Sequence, residues 1–443
     1  MLIAIVSTMT ACSTKKDDPI TSNVAQLNTF SFAAQDNYPG FAEAKFKVVQ
    51  GTDTGFVYSV DSIRFGTPLN RAVPKYTFEA TPGSAKLQLG DTVIMLSGAD
   101  TLDFTKRPIY LTITSSDLST TKVYSIQPLV HQVDPDLYQW ETLTTSIYPK
   151  DDSEQQLVML GDEFYLFANN GYTTSLYHSL DGRSWEKRTL EGLPSTCHVR
   201  GIVSDGEALY YAQDATLYTS LDAETWAADD YSTATFTIQT MLMHYNDTIW
   251  AVVENKENQQ LYLGKVNVDI LEQTEYQLDA NFPISDFCAV EFAGTSERPR
   301  AMIIGGYAKN GQCLNSRWNI EYAETSTKPY RFINYSIEQP SFTTLTGVSV
   351  VWYNNQLLMV GGVDADMQFR GNEILVSIDE GFTWQQADTT KCQLPASYTA
   401  RQKQTMIVHD DNIYIIGGQD MSTTYSDVYR GRLNSIDWDK ITN

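Results

Sequence analysis

The 443-residue sequence predicts an all-β chain, an N-terminal β-sandwich followed by a six-bladed β-propeller. Three observations carry that expectation. Residues 23–133 read as short alternating strands with no amphipathic helix of useful length. Six later segments repeat one shape: an apolar strand, a tight polar turn and a second apolar strand. Equivalent positions on those second strands, Tyr165, Tyr210, Trp250, Met302, Leu358 and Tyr414, lie 45, 40, 52, 56 and 56 residues apart, the spacing of propeller blades. A chain this long exceeds one ordinary core, so a small domain joined to a large circular one fits its length.

The N-terminal segment comes first. Residues 1–12 run MLIAIVSTMTAC, an apolar core ending in small residues before a cysteine. Met9-Thr10-Ala11-Cys12 resembles a bacterial lipobox. That resemblance implies lipidation at Cys12 and a chain held outside the cytoplasm, touching membrane only through its anchor. Residues 13–22 form a short charged tether. Its stretch Ser13-Thr14-Lys15-Lys16-Asp17-Asp18 resembles the signals that send some lipoproteins to the outer face of the outer membrane, with a periplasmic location as the alternative.

Asp plus Glu number 54 against 31 Lys plus Arg, a net charge of −23. Such a surface repels phosphate backbones, so nucleic-acid binding is not expected. Four further cysteines, Cys197, Cys288, Cys313 and Cys392, allow three disulfide connectivities and the sequence does not choose among them. Cysteines so widely spaced are more often small buried hydrophobes than staples.

Within residues 23–133 the clearest pair of strands is PIYLTITSSDLSTTKVYSIQPLV. Ile109, Leu111 and Ile113 point one way, Tyr110, Thr112 and Thr114 the other. A sandwich of immunoglobulin-like type is the economical reading, serving as a stalk, with Asp134-Pro135-Asp136 as the hinge into a propeller over residues 137–443.

In the propeller, Gly305-Gly306, Gly361-Gly362 and Gly417-Gly418 end three of the repeats and resemble the double glycine of kelch repeats, which gives a kelch-type propeller. A kelch unit places a Tyr and a Trp further on, here Tyr429 and Trp438. Trp140 is a rival marker for an outer strand, which leaves the closure of the ring open. SIDEGFTW resembles the Asp-box, with Ser377, Asp379, Gly381 and Trp384 as its markers. Two degraded copies carry Ser179, Asp181 and Trp185, and Ser220, Asp222 and Trp226. Each follows an apolar strand and precedes a short one, which puts it between the third and fourth strands of a blade. There the Asp is expected to accept backbone amides and the Trp to pack towards the next blade. The box is therefore a folding device rather than chemistry.

The Asp-box is best known from sialidases, which hold a carboxylate with three arginines and carry an Arg-Ile-Pro motif. No Arg-Ile-Pro occurs; Arg298-Pro299-Arg300 is the nearest string. Kelch-type copper oxidases need two His and two Tyr ligands, and the five histidines show no ligand spacing. Asp364-Ala365-Asp366 opens like a calcium loop but lacks its Gly and Glu. No metal or cofactor is expected.

Ligands of propellers bind at the axis, on the face opposite the Asp-box hairpins. Candidates in loops of that face are Tyr172, His198, Arg200, Tyr307, Lys309, Arg317, Asp364, Arg370, Arg401, Gln419 and Tyr425. Each taken singly is an ordinary solvated loop residue, and only convergence would give the group meaning. Taken whole, the Cys12 motif, the sandwich, the junction from Val130 to Trp140 and the blades resemble a family of bacterial outer-membrane lipoproteins of unknown function. The tether architecture together with the missing catalytic signatures points to a monomeric surface protein that binds a glycan or protein on its axial face. A kelch-type sugar epimerase or mutarotase is the alternative.

Overall fold

The structure is a computed structural model and describes residues 21–96, 100–149, 154–267, 270–294, 299–324, 326–335 and 345–436. Cys12, the tether up to Ile20, Arg298 and Trp438 lie outside the described residues. The chain divides between Pro135 and Asp136 into two compact units. Among the described residues, no helix is long and apolar enough to cross a membrane.

The first unit packs two sheets. Strands β1 (Leu27–Phe32) and β4 (Pro74–Phe78) form one, and the other runs β2 (Phe46–Val49), β3 (Thr54–Ser59), β8 (Thr121–Gln127), β7 (Ile109–Thr114), β5 (Ser84–Leu89), β6 (Thr92–Met95). Alternation decides the faces, as Ile109, Leu111 and Ile113 are buried while Tyr110 is exposed. They meet Leu27, Phe30 and Phe32 across a core where Phe30, Phe32, Phe41, Phe46 and Phe104 stack mostly edge to face.

The second unit has six four-stranded antiparallel sheets. Blade I is β10 (Glu154–Leu160), β11 (Glu163–Asn169), β12 (Thr174–Ser179) and β13 (Glu186–Arg188). Blade II is β14 (Val203–Ser204), β15 (Leu209–Gln213), β16 (Thr216–Ser220) and β17 (Ala227–Asp230). Blade III is β18 (Phe236–His244), β19 (Ile249–Asn255), β20 (Leu261–Asn267) and β21 (Ile270–Gln277). Blade IV is β22 (Pro283–Phe292), β23 (Arg300–Ala308), β24 (Arg317–Tyr322) and β25 (Tyr330–Asn334). Blade V is β26 (Ser349–Tyr353), β27 (Gln356–Val360), β28 (Ile374–Ser377) and β29 (Gln385–Gln386). Blade VI has three consecutive strands, β30 (Thr405–His409), β31 (Asn412–Ile416) and β32 (Val428–Leu433). Its fourth is β9 (Tyr138–Thr144), from the start of the unit. Trp140, opposite Gly431, is thus the outer-strand tryptophan that closes the ring.

Second strands are buried on both faces, which is why they read as unbroken apolar runs. In β27, Leu357 and Met359 pack on blade IV and Leu358 and Val360 on blade VI. The same alternation generates six inter-blade cores. Tyr165, Tyr210, Trp250, Met302, Leu358 and Tyr414 all face the following blade, so their spacing reports one repeated register.

The three turns with the Ser-x-Asp pattern share one geometry. Asp181 Oδ1 accepts the amides of Arg183 and Ser184 at 2.8 Å each, Asp222 Oδ1 those of Glu224 and Thr225 at 2.9 and 2.7 Å, and Asp379 Oδ1 that of Thr383 at 2.8 Å. Trp185, Trp226 and Trp384 donate from Nε1 to the carbonyls of Gly182, Ala223 and Gly381. The tryptophans face the preceding blade, not the next one as expected: Trp226 meets Phe167 of blade I and Trp384 packs with Phe292, Met302 and Ile304 of blade IV. The second-strand markers already fill the opposite face, leaving the turn to seal the seam behind it. Cys197 and Cys392 are buried and Cys288 and Cys313 half-buried, with no disulfide joining any two of them.

Candidate functional site

The first strands of successive blades touch around the axis. On one face three segments interlock, the start of β22 and the entries to β26 and β30. The Gly347 amide donates to the Asp286 carbonyl at 2.9 Å and the Lys403 amide to the Gly347 carbonyl at 2.7 Å. Arg200 Nη1 then donates to the Lys403 carbonyl at 2.9 Å, carrying the chain of bonds across to blade II. Asp286 and Lys403 take left-handed conformations with φ of 51° and 59°. That costs about 1–3 kcal/mol for each non-glycine residue, and such strain concentrates at functional sites.

The collar floors a cavity of about 560 Å³ that blades I, II, III, IV and VI line. Its charged groups interact. Lys403 Nζ lies 2.9 Å from Asp286 Oδ2, and Arg200 Nε 3.7 Å from Asp286 Oδ1. The latter is too long for a hydrogen bond, and Arg200 Nε is buried without a hydrogen-bond partner among the described residues. His198, 84% exposed, places Nδ1 3.7 Å from Glu154 Oε2. Burial raises the Glu154 carboxyl above its ordinary value, against the pull of His198, Arg200 and Lys403, and Asp286 adds to the rise. The His198 amide donates to Tyr211 Oη at 2.9 Å, and Tyr211 Oη to Gln213 Oε1 at 2.6 Å, which fixes the segment leading to Arg200. Gln239, Thr240 and Ser285 add uncharged polar groups.

Beyond this mouth an axial channel of about 330 Å³ runs between the inner strands. Arg200 and Phe287 line both spaces and stand between them.

Of the candidates from sequence, His198 and Arg200 meet in the cavity. Arg317 and Arg401 do not, because both are fully buried. Arg317 donates to the carbonyls of Phe382 and Tyr335 at the seam of blades IV and V. Arg401 forks onto Asp427 at 2.5 and 3.2 Å and stacks between Tyr398 and Tyr425, a structural ion pair. Tyr172 is 83% exposed at a loop tip. Lys309 pairs with Glu254, and Arg370 Nη2 lies 3.6 Å from Glu373. Asp364 accepts the amides of Asp366 and Gln368, and Tyr425 donates to Asp420. Gln419 bonds through its backbone to Gln402, and Tyr307 ends β23 in a bridge to Cys313. None of these lines the cavity or the channel.

Glu154, Asp286 and Lys403 were missed. Glu154 and Lys403 stand, like Arg200, at the entry to an inner strand, and that signal applied to every blade finds both. Asp286 lies inside β22, three residues past its start, where that signal does not reach.

Among solved structures, YjhT is similar to this chain with a TM-score of 0.47 and 10% identity, covering 65% of this chain and 96% of that one. A likeness at that level says nothing about ligand or activity. No curated protein matches the chain. The model described as the DUF6242 beta propeller domain matches residues 134–441, well over half of the chain, and the protein belongs to that family.

Proposed function

We propose that this protein is a ligand-binding propeller whose axial face holds a polar ligand, a glycan or a protein segment. It works as a cell-envelope lipoprotein anchored through Cys12 at the outer membrane, with the N-terminal unit as a stalk. The observation that carries the reading is the cavity itself. Arg200, Lys403, Asp286, Glu154 and His198 converge on about 560 Å³ beside Gln213, Gln239 and Thr240, a size and polarity that suit a sugar or a short peptide turn. Both donors and acceptors line it, and a hydroxyl-rich ligand can use both.

One observation favours a second reading, a carbohydrate-active enzyme such as a sugar epimerase or mutarotase. Glu154 is a carboxyl with a raised pKa, 3.7 Å from an imidazole, and such a pair can exchange protons with a substrate. A glycan-array screen of the protein from Ile20 onward, with each hit then followed by NMR for anomeric or epimeric change, separates the two. An intact hit supports binding alone; a converted hit makes the protein an enzyme. An empty array removes the glycan and leaves a protein ligand, to be sought by pull-down.

A further inference from the structure

On the opposite face, at the seam of blades I and II, lies a cleft of about 840 Å³, larger than the axial mouth. Its lips are Leu180 and Leu221, 67% and 79% exposed. Both occupy the middle of a Ser-x-Asp turn. The turn dictates that this position is exposed, since Ser and Asp are turned inward onto backbone amides, and Ile378 at the same place in the third turn is 66% exposed too. At the seam of blades I and II two such turns adjoin, so two aliphatic side chains face water at matched places on either side of one cleft.

The floor is a chain of alternating charge. His178, largely buried, has Nε2 2.9 Å from Glu163 and Nδ1 3.3 Å from Glu186. Arg188 pairs with Glu186 and lies 3.9 Å from Glu224. Three carboxylates therefore face one guanidinium and one imidazole, leaving the floor negative. Tyr165 donates to Glu163 at 2.9 Å and packs its ring against His178 at 5.0 Å, so the network is fixed in place. Glu163, Glu186 and Glu224 are anchored on one side while their side chains stay 44%, 60% and 35% exposed, which leaves oxygen lone pairs for an incoming donor.

We propose that this cleft is a second binding site, which takes a short peptide segment carrying a lysine or arginine flanked by apolar residues. The cation meets the surplus of carboxylates, where a charge-assisted hydrogen bond is about twice as strong as a neutral one. Its apolar neighbours cover Leu180 and Leu221 and shield that bond from water. The volume accommodates a few residues and not a folded domain.

The test is calorimetric titration of the protein with a blocked pentapeptide bearing a central arginine between leucines, and with the same peptide carrying citrulline. The arginine peptide binds, the citrulline peptide at least tenfold more weakly, and L221S and E224Q each weaken the arginine peptide about fivefold or more with melting temperature unchanged. An axial variant, R200A, leaves this binding as it is. No heat with the arginine peptide at millimolar concentration, equal binding of the citrulline peptide, or indifference to both cleft variants overturns the proposal.

Discussion

Gln404 lies directly over Gly361. From the entry to blade VI it donates Nε2 to the Val360 carbonyl at 2.6 Å, and a β-carbon built on Gly361 would stand 2.3 Å from that nitrogen. Gln155 has the same relation to Gly417, clamping the Gly418 and Tyr425 carbonyls from the entry to blade I. In blades V and VI the double glycine is a socket for the next blade's glutamine as much as a way of turning the chain, while over Gly305 the Leu345 carbonyl takes that place.

Gly361→Ala therefore meets two penalties, a left-handed backbone with φ of 70° and the loss of the clamp. Together they amount to about 3 kcal/mol. Gly311→Ala is the control: φ is 81° but nothing lies near its β-position, and it costs only about 1 kcal/mol. Urea unfolding of both variants checks the difference.

Trp384→Ala removes a side chain buried in the core of blades IV and V together with its bond to the Gly381 carbonyl. A loss of about 3–5 kcal/mol is expected. An unchanged thermal midpoint would contradict the packing described.

The turn aspartates and Glu154 respond to pH with opposite sign. Hydrogen bonds from the Ser184 and Thr225 amides hold Asp181 and Asp222 below the ordinary carboxylate value. At Asp379 burial works against bonds from Thr383 and Ser377, and the bonds prevail. Their stabilisation is full above the unfolded value, about 3.9, and is lost as pH falls through the depressed ones. Glu154 is raised, so its contribution is present at low pH and lost as pH rises through its folded value. The triple variant D181N/D222N/D379N flattens the acid limb of stability. Glu154→Gln gains on the wild type as pH rises above the ordinary glutamate value, about 4.3, in the same urea titrations.

Arg200 and Arg401 separate ligand contact from support. Arg401→Ala strands Asp427 in the interior and costs about 3–5 kcal/mol. Arg200→Ala gives up one bond to a carbonyl, about 1 kcal/mol, and weakens any axial ligand at least tenfold. Melting curves paired with binding of an array hit distinguish the two.

The ring was legible because burial on both faces imposes composition: Leu357 to Val360 must all be apolar whichever neighbour each one meets. The site was legible only in part. Arg317 and Arg401 sit in the chain where axial residues sit, but sequence position does not give the direction of a side chain, and both turn inward. Asp286 and Lys403 occupy irregular segments where left-handed backbone breaks the two-residue period that pattern reading depends on. The choice between Trp140 and Trp438 depended on pairing across nearly 300 residues, which no local spacing encodes.

Closure by β9 has a consequence for biosynthesis. The strand that completes blade VI is the first strand of the ring to leave the ribosome, and its partner β32 emerges only when the rest of the ring has been made. Until then Tyr138–Thr144, which carries Trp140, is an open edge exposed to any passing strand. A nascent chain of this design has to be shielded from its neighbours until its last segment arrives, and truncation after blade V would leave an aggregation-prone spiral in place of a smaller propeller.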